Sequence, residues 1–452
     1  MKFMVNQKNK TKIFVLCIVG WLIRACYIYL TKEILFSFSY GPSHPHYDIS
    51  YNVIKDFATS IIFLLESVIL FSLKKSEFCD NLLNMLYLIY FIPLNAVSPL
   101  VDADIGFIIL SNLFIFELIF CLSFNFQYRK RIVFSTINKN DCYWENRIRP
   151  LCVVVCFLFI AFKLSINGLR FSLIFLGSET YANRMLTVEL LREYDGSIIG
   201  IISNILNDIA TYVAPVYLFI SIKERRWMEI IIAIITILAQ FSLFSMKGTL
   251  LFIPIVLFLA LYKNVQRFTT LLFGGTIVGF VALVVLWAFF GKATFYFVIV
   301  RRLLYIPTWL NTLYYDFFSH NPKLMLSDEV FVVKHFLPKV YDASILSVLN
   351  VKYFDGLVVS PNNGLFSEGY MQFGIIGLFF YPLLYKVIIV WFEKTYNKFS
   401  KQFNLLICSI IALNLPNVGM FRSDFVMSFF LMTIIIQITQ KIRFKMIDRR
   451  IW

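Results

Sequence analysis

A short polar block, Asn362-Asn363-Gly364 through Glu368, stands immediately before a long apolar run. Polar groups at the point where a helix enters lipid are costly unless they face water, protein or a ligand. A carboxylate there can orient or deprotonate a hydroxyl group that comes within hydrogen-bond reach. We therefore predict a site at a membrane surface, with Glu368 as a catalytic residue and with Asn362 and Asn363 as substrate-binding residues.

A second set of candidate residues consists of cations in segments that are predicted to lie outside the cell. Arg suits a phosphate or diphosphate group because its planar guanidinium can donate two parallel hydrogen bonds. At an outer membrane surface the expected anionic substrate is a lipid-linked diphosphate, and converging cations stabilise its charge as it leaves. Catalytic roles are predicted for Arg184 and Arg301, and substrate-binding roles for Arg192, Lys247, Arg302 and Tyr315. The aromatic residues Tyr305, Trp309 and Tyr314 are expected, like Tyr315, to stack on sugar rings or to cover lipid.

Each of these residues also has a purely structural interpretation. Arg184 has acidic neighbours and could form ion pairs with them, whereas Arg301 and Arg302 could reach lipid headgroups. Lys247 could be the solvated tip of a tight turn, and Glu368 could cap the helix that follows it.

Buried ionisable residues leave a transporter open as an alternative. Asp208 falls near the middle of a predicted helix, where Arg24 and Lys163 are candidate partners, and Glu66 and Glu117 lie within other apolar segments. Such groups can form a pathway for ions or protons through a membrane.

No metal site or cofactor is predicted. His44-Pro-His46, with Asp48 nearby, has a spacing that could bind a metal but lacks further ligands in the surrounding sequence. Asp102-Ala-Asp104 resembles the pair that holds a divalent ion in nucleotide-sugar enzymes, but it occupies a minimal turn on the side without nucleotide sugars. The eight Cys residues fall in helices or cytoplasmic loops, so no disulfide framework is expected.

The composition indicates an integral membrane protein with a single transmembrane domain over residues 1–452. The chain is 59% hydrophobic and 15% charged, whereas soluble domains are about one quarter charged. Because a membrane-spanning helix needs about 20 mostly apolar residues, we predict an all-α fold with about 12 spans, in the range 10–14. The predicted spans are 13–30, 53–73, 82–101, 105–126, 150–167, 197–222, 227–244, 249–262, 268–290, 369–391, 403–420 and 424–440.

The basic residues set the predicted orientation. Most Lys and Arg outside these spans fall in one alternating set of loops together with both termini, and the short loops of the other set hold few. The positive-inside rule therefore places both termini in the cytoplasm. The net charge of +15 is largely this orientation signal, and no nucleic-acid partner is predicted. Residues 168–196 and 291–368 become external loops, and the second is too long to be a mere connection.

Four segments carry a family resemblance, and it extends over the whole architecture. They are Tyr181-Ala-Asn-Arg184 with Gly196, Ser245-Met-Lys247-Gly-Thr249, Arg301-Arg302 through Pro307 with Tyr314 to Phe318 and Asn321-Pro322, and Pro361-Asn-Asn-Gly364 through Glu368 and Phe373-Gly374. With them the chain resembles the O-antigen and capsular repeat-unit polymerases. The related O-antigen ligases usually have a His-Asn pair where this chain has Asn362-Asn363, and this difference favours a polymerase.

The resemblance implies a glycosyltransferase of GT-C-like architecture in the bacterial cytoplasmic membrane. Its donor and acceptor would be undecaprenyl-diphosphate-linked oligosaccharides, joined by metal-independent transfer on the external face to give O-antigen of lipopolysaccharide or capsule. A chain-length regulator and a flippase are the protein partners that it implies. An O-antigen ligase and a lipid-linked oligosaccharide flippase or transporter remain the alternative functions.

Overall fold

A computed structural model describes the chain as an all-helical protein. It describes residues 7–37, 50–124, 143–167, 198–244, 247–262, 267–291, 296, 300–301, 304–327, 333, 336–354, 364–422 and 425–448. Over these residues the only extended pairing is one isolated bridge between Ser50 and Val101. The helices are α1 Gln7–Ser37, α2 Val53–Ser72, α3 Glu77–Leu100, α4 Ile105–Ser123, α5 Tyr143–Asn167, α6 Ile198–Lys223, α7 Trp227–Phe244, α8 Lys247–Leu261, α9 Phe268–Phe290, α10 Ile306–His320, α11 Ile345–Tyr353, α12 Phe366–Phe373, α13 Ile375–Tyr396, α14 Lys401–Asn414 and α15 Leu431–Asp448.

The prediction of an all-helical protein of membrane type is confirmed. Every predicted apolar segment overlaps a helix, and within the described residues seven helices are long and apolar enough to cross a membrane: α1, α3, α4, α5, α6, α9 and α13. Shorter apolar helices occur within α7, α8, α14 and α15. Helix α2 has 20 residues and is not among the seven; it carries Lys55, Asp56 and Glu66.

The chain forms two compact units, each assembled from separated segments. The first consists of Met1–Arg129, Gln266–Val390 and Ile411–Met420, and the second of Lys130–Val265, Trp391–Ile410 and Phe421–Trp452. In the first unit α3 is the central helix, since it contacts α1, α2, α4 and α10 and is almost wholly buried. In the second unit α6 is the central helix, and it contacts α5, α7 and α8.

Helix α3 contains one π-helical turn, called the widened turn below, which runs from Tyr87 to Phe91. The Tyr87 ring stacks on Phe63 of α2 with 5.3 Å between ring centroids, and its hydroxyl lies 2.8 Å from Ser67 Oγ. Widened turns of this kind are uncommon inside helices and often accompany functional or specially packed residues. Here the turn lies beside the buried polar residues of α2.

Loops that were predicted to share one side of the membrane come together within the first unit. Asn52 Nδ2 donates a hydrogen bond to Asp102 Oδ1 at 3.0 Å, and Lys55 Nζ forms an ion pair with the same carboxylate at 2.6 Å. Tyr315 of the predicted external loop 291–368 donates to Asp104 Oδ1 at 3.1 Å. Three predicted external segments therefore meet at one end of this unit.

The second unit shows the same grouping for segments predicted to be cytoplasmic. The buried Glu145 carboxylate accepts hydrogen bonds from the backbone N–H and the hydroxyl of Ser400. Lys223 Nζ lies 3.8 Å from Glu145 Oε2 and donates to Ser400 Oγ at 3.2 Å. The loops at 127–149, 223–226 and 393–402 are thus linked by one polar cluster.

Candidate functional site

The central contact of the candidate site joins α10 to α12 in the first unit. Asn311 of α10 accepts a hydrogen bond from the backbone N–H of Ser367 at 3.2 Å, and the hydroxyl of Tyr90 on α3 lies 3.5 Å from the same oxygen. Asn311 is almost fully buried, so these bonds fix α10 between α3 and α12. The long predicted external loop therefore contains a helix that is locked onto the polar block of the sequence.

Burial separates the four aromatic residues that were predicted to meet sugar or lipid. Tyr305, Trp309 and Tyr314 are at most 3% exposed and belong to the core, which corrects the expectation that they stack on a ligand. Only Tyr315 is partly exposed. On a helix, residues 314 and 315 point about 100° apart, which explains why one is buried and the other reaches the surface.

Tyr315 is held by a carboxylate and by a second aromatic ring. Its hydroxyl donates to Asp104 Oδ1, and its ring centroid lies 5.2 Å from that of Tyr370 on α12. Asp104 also caps α4, because it accepts the backbone N–H of Gly106 at 2.7 Å. Burial and the hydrogen bond to Asp104 both raise the pKa of Tyr315 above its usual range, and burial has the larger effect. Tyr315 therefore stays a neutral hydrogen-bonding group at neutral pH.

A second carboxylate lies on α10, and a cation lies just beyond its end. Lys323 Nζ is 5.1 Å from the ring centroid of Tyr370 and donates to the carbonyl oxygen of Phe318, and burial lowers the pKa of its ammonium group. Asp316 is exposed, accepts a hydrogen bond from the Tyr353 hydroxyl, and lies 3.9 Å from Lys352 Nζ. We call the exposed residues Asp104, Asp316, Ser319 and Lys352, together with the partly buried Tyr315 and Lys323, the α10 surface.

The α10 surface combines the groups that recognise a polyhydroxylated ligand. Carboxylate oxygens accept hydrogen bonds from sugar hydroxyls, ammonium groups donate to their oxygens, and a tyrosine does both. An aromatic ring adds an apolar face for the carbon side of a sugar. This arrangement favours a sugar over a flat apolar ligand.

Glu368 is buried rather than placed on the α10 surface. Its side chain is 2% exposed, and Oε2 accepts hydrogen bonds from the Tyr385 hydroxyl at 2.7 Å and from the Met420 N–H at 3.0 Å. These bonds join α12 to α13 and to the segment that follows α14. The carboxylate thus has a clear structural role, and its predicted proton transfer stays a prediction.

A separate short helix begins within the polar block, which corrects the single predicted helix at 369–391. Helix α12 ends at Phe373 and is followed by Gly374, whose φ of +60° is readily adopted by glycine, and α13 begins at Ile375. Gly364 explains a further part of the motif. A Cβ atom there would lie 1.9 Å from the carbonyl oxygen of Leu415, so only glycine allows this close approach of two backbones.

The remaining predicted residues are placed only in part. Arg301 is partly buried and lies shortly before α10. In the preceding segment, the Tyr296 hydroxyl donates to Thr31 Oγ1 of α1 at 2.8 Å. Lys247 is the first residue of α8, but its side chain lies outside what the structure describes. Wholly outside the described residues are Arg184, Arg192, Arg302, Asn362, Asn363, His44, His46, Asp48 and the loop 168–196.

The two carboxylates that were considered as a metal-binding pair have other partners. Asp102 accepts hydrogen bonds from Lys55 and Asn52. These bonds hold the pKa of Asp102 below its usual range, and the bond from Lys55 has the larger effect. Asp104 caps α4 and accepts from Tyr315. Among the described residues no group of three or more His, Cys, Asp or Glu side chains has a metal-binding arrangement.

Sequence reasoning missed Asp316, Tyr353 and Lys352 as parts of the site, and it considered Asp104 only as a metal ligand. A helix-capping signal was present for Asp104, because it immediately precedes an apolar helical run. No local pattern links Asp316 to Tyr353 or Asp104 to Tyr315, since these contacts form only through the tertiary fold.

Comparison of the chain with protein-family models, with curated proteins and with solved structures finds no match. The functional assignment of this chain therefore depends on its own residues and on their contacts.

Proposed function

We propose that this protein polymerises undecaprenyl-diphosphate-linked oligosaccharide units into O-antigen or capsular polysaccharide. It is a GT-C-like glycosyltransferase of the bacterial cytoplasmic membrane with about 12 spans and both termini in the cytoplasm. The reaction takes place on the external face, where the growing glycan leaves one lipid diphosphate and is transferred to the terminal sugar of a new unit.

The observation that carries this proposal is the α10 surface. It presents two carboxylates, two ammonium groups and the Tyr315 hydroxyl and ring beside the end of the first unit where three predicted external segments meet. A hydroxyl-rich acceptor could be bound by such groups without a metal ion. In this scheme Tyr315, Asp104 and Asp316 hold acceptor hydroxyls.

The leaving diphosphate is assigned to the cations of the predicted external loops. Arg301 and Arg184 stabilise the charge that develops on the departing oxygen, and Arg192, Lys247 and Arg302 hold the remaining diphosphate oxygens. Glu368 orients or deprotonates the acceptor, while Asn362 and Asn363 bind sugar hydroxyls. A flippase would supply the lipid-linked units, and a chain-length regulator would limit their number.

A transporter is the second candidate, and one observation favours it. The buried residues Arg24 and Glu66, together with the partly exposed Asp56, form a group of ionisable residues between helices of the first unit. Ionisable residues within membrane helices often belong to ion or proton pathways. A flippase for lipid-linked oligosaccharides is therefore the alternative that the experiment must exclude.

The glycan made by a strain that lacks the protein tests the proposal. We expect single repeat units attached to the cell surface and no long chains, because export and attachment persist while elongation stops. Electrophoresis of the surface glycan, with extraction of lipid-linked units, measures both. Accumulation of lipid-linked units inside the cell would instead indicate a flippase, and unattached polymer would indicate a ligase. A plasmid copy of the wild-type gene is the control and should restore long chains.

The predicted orientation can be tested with single cysteines at exposed positions. We expect a membrane-impermeant maleimide to label His320→Cys in intact cells and to label Arg225→Cys only after permeabilisation. His320 ends α10, and Arg225 follows α6 in a segment predicted to be cytoplasmic. The unmodified protein controls for its own cysteines. The opposite labelling pattern would place the α10 surface in the cytoplasm and exclude the proposed reaction there.

A further inference from the structure

A partly buried ion pair links α1 to α2 in the first unit. Arg24 is 2% exposed, and its Nη2 donates to Asp56 Oδ1 at 2.7 Å and to Thr59 Oγ1 at 2.8 Å. Asp56 Oδ2 in turn accepts the Tyr51 hydroxyl at 2.6 Å. One positive and one negative charge therefore compensate each other directly.

Glu66 lies ten residues further along α2 and has no such direct partner. It is fully buried, and its Oε2 accepts a hydrogen bond from Asn95 Nδ2 of α3 at 3.0 Å. The same nitrogen donates to the carbonyl oxygen of Phe91 at 3.1 Å, and this fixes the orientation of the amide because a carbonyl oxygen can only accept. The other oxygens of the pair, Glu66 Oε1 and Asn95 Oδ1, are both buried without a hydrogen-bond partner.

One proton on Glu66 would both neutralise its buried charge and supply a hydrogen-bond donor for Asn95 Oδ1. An ionised Glu66 would be a second negative charge near a cation that Asp56 already neutralises, and an uncompensated buried charge is strongly unfavourable. It would also leave two acceptors facing no donor. We propose that Glu66 is a proton-binding site, in which a carboxylic acid O–H at Oε1 donates to Asn95 Oδ1 while Oε2 accepts from Asn95 Nδ2.

The groups that face Glu66 come from each neighbouring helix, and the cation among them is already occupied by a carboxylate. Arg24 of α1 attracts the ionised form of Glu66, but its guanidinium already donates to Asp56, and Tyr87 of α3 is a neutral hydroxyl that is bound to Ser67. On α2 itself the nearest described acid is Asp56, which is occupied by Arg24 and Tyr51. The inference does not depend on the proposed polymerase reaction.

Two matched amide substitutions in the purified full-length protein test the proposal. Glu66→Gln replaces the acid by an amide that can donate to Asn95 Oδ1 and accept from Asn95 Nδ2, so we expect the melting temperature to change by less than about 2 °C. Asp56→Asn removes the charge that compensates Arg24, and we expect it to lower the melting temperature by at least several degrees. In the infrared difference spectrum of wild type minus Glu66→Gln at neutral pH, we expect the carbonyl band of a protonated carboxyl group.

Either of two results would overturn the proposal. One is a loss of stability in Glu66→Gln as large as that in Asp56→Asn, which would mean that Glu66 carries a charge needed by Arg24. The other is a carboxylate band, instead of the acid band, in the same difference spectrum.

Discussion

Arg301→Ala is expected to abolish glycan elongation while single repeat units still reach the cell surface. The proposed site uses the guanidinium to stabilise the leaving diphosphate, and removal of one such charge-stabilising donor lowers a rate by about 100- to 1,000-fold. Arg301→Lys should recover only part of the chain length, because an ammonium group cannot donate the two parallel hydrogen bonds of a guanidinium. Electrophoresis of the surface glycan measures the effect, with protein amounts in the membrane matched by immunoblot.

Arg267→Ala is the matched control for this substitution. Arg267 is an exposed arginine immediately before α9, in a segment that is predicted to face the cytoplasm. It should leave chain length unchanged, because a cation on that side cannot reach the diphosphate. Long chains in Arg301→Ala at normal protein levels would show that Arg301 does not contact the leaving group.

Substitutions of Glu368 are expected to have two separable effects, one on the stability of the protein and one on glycan elongation. Glu368→Ala leaves the Tyr385 hydroxyl and the Met420 N–H buried without an acceptor, and each such group costs about 1–3 kcal/mol. We therefore expect a loss of about 2–6 kcal/mol in the free energy of unfolding, measured by denaturation in detergent. Glu368→Gln keeps an oxygen acceptor and should remain folded, but elongation should fall at least about 100-fold if the carboxylate acts as a base.

Tyr385→Phe is the companion variant for the structural effect. It removes one of the two donors to Glu368 without adding a new polar group, so the free energy of unfolding should fall by about 1 kcal/mol and elongation should continue. A fully active Glu368→Gln variant would restrict Glu368 to positioning α12 against α13. Loss of folding in that variant would contradict the expected separation of the effects on stability and activity.

The apolar length pattern predicted the helices well because membrane spans leave a strong local signal in the sequence. It failed at Gly374, where Met371 to Phe373 and Ile375 to Phe380 give nearly continuous hydropathy. The break between α12 and α13 is a matter of backbone conformation at one glycine, and hydropathy does not report on it. The number of helices that cross the membrane also stays a prediction. Hydropathy and length do not decide whether a short helix, or one with charged residues such as α2, spans the membrane.

The candidate site was predicted less completely than the fold. The polar block and the residues 314–318 were recognised from the sequence, and the structure brings Tyr315 against Tyr370 of α12, the helix that begins within the block. Partners such as Asp104 could not be predicted, because 211 residues separate Asp104 from Tyr315 in the chain. Burial of Glu368 was equally hidden, since its two described donors lie 17 and 52 residues away.

The widened turn at Tyr87–Phe91 sets the rotational phase of the central helix. Tyr87 and Asn95 are eight residues apart, and a regular helix would rotate them about 80° away from each other. One additional residue in the turn absorbs about 100°, so both side chains reach α2, at Ser67 and at Glu66 respectively. Natural variants that lack one residue of this turn would therefore rotate the part of α3 that follows it and lose its present contacts with α2. Point substitutions within the turn would keep this rotation unchanged.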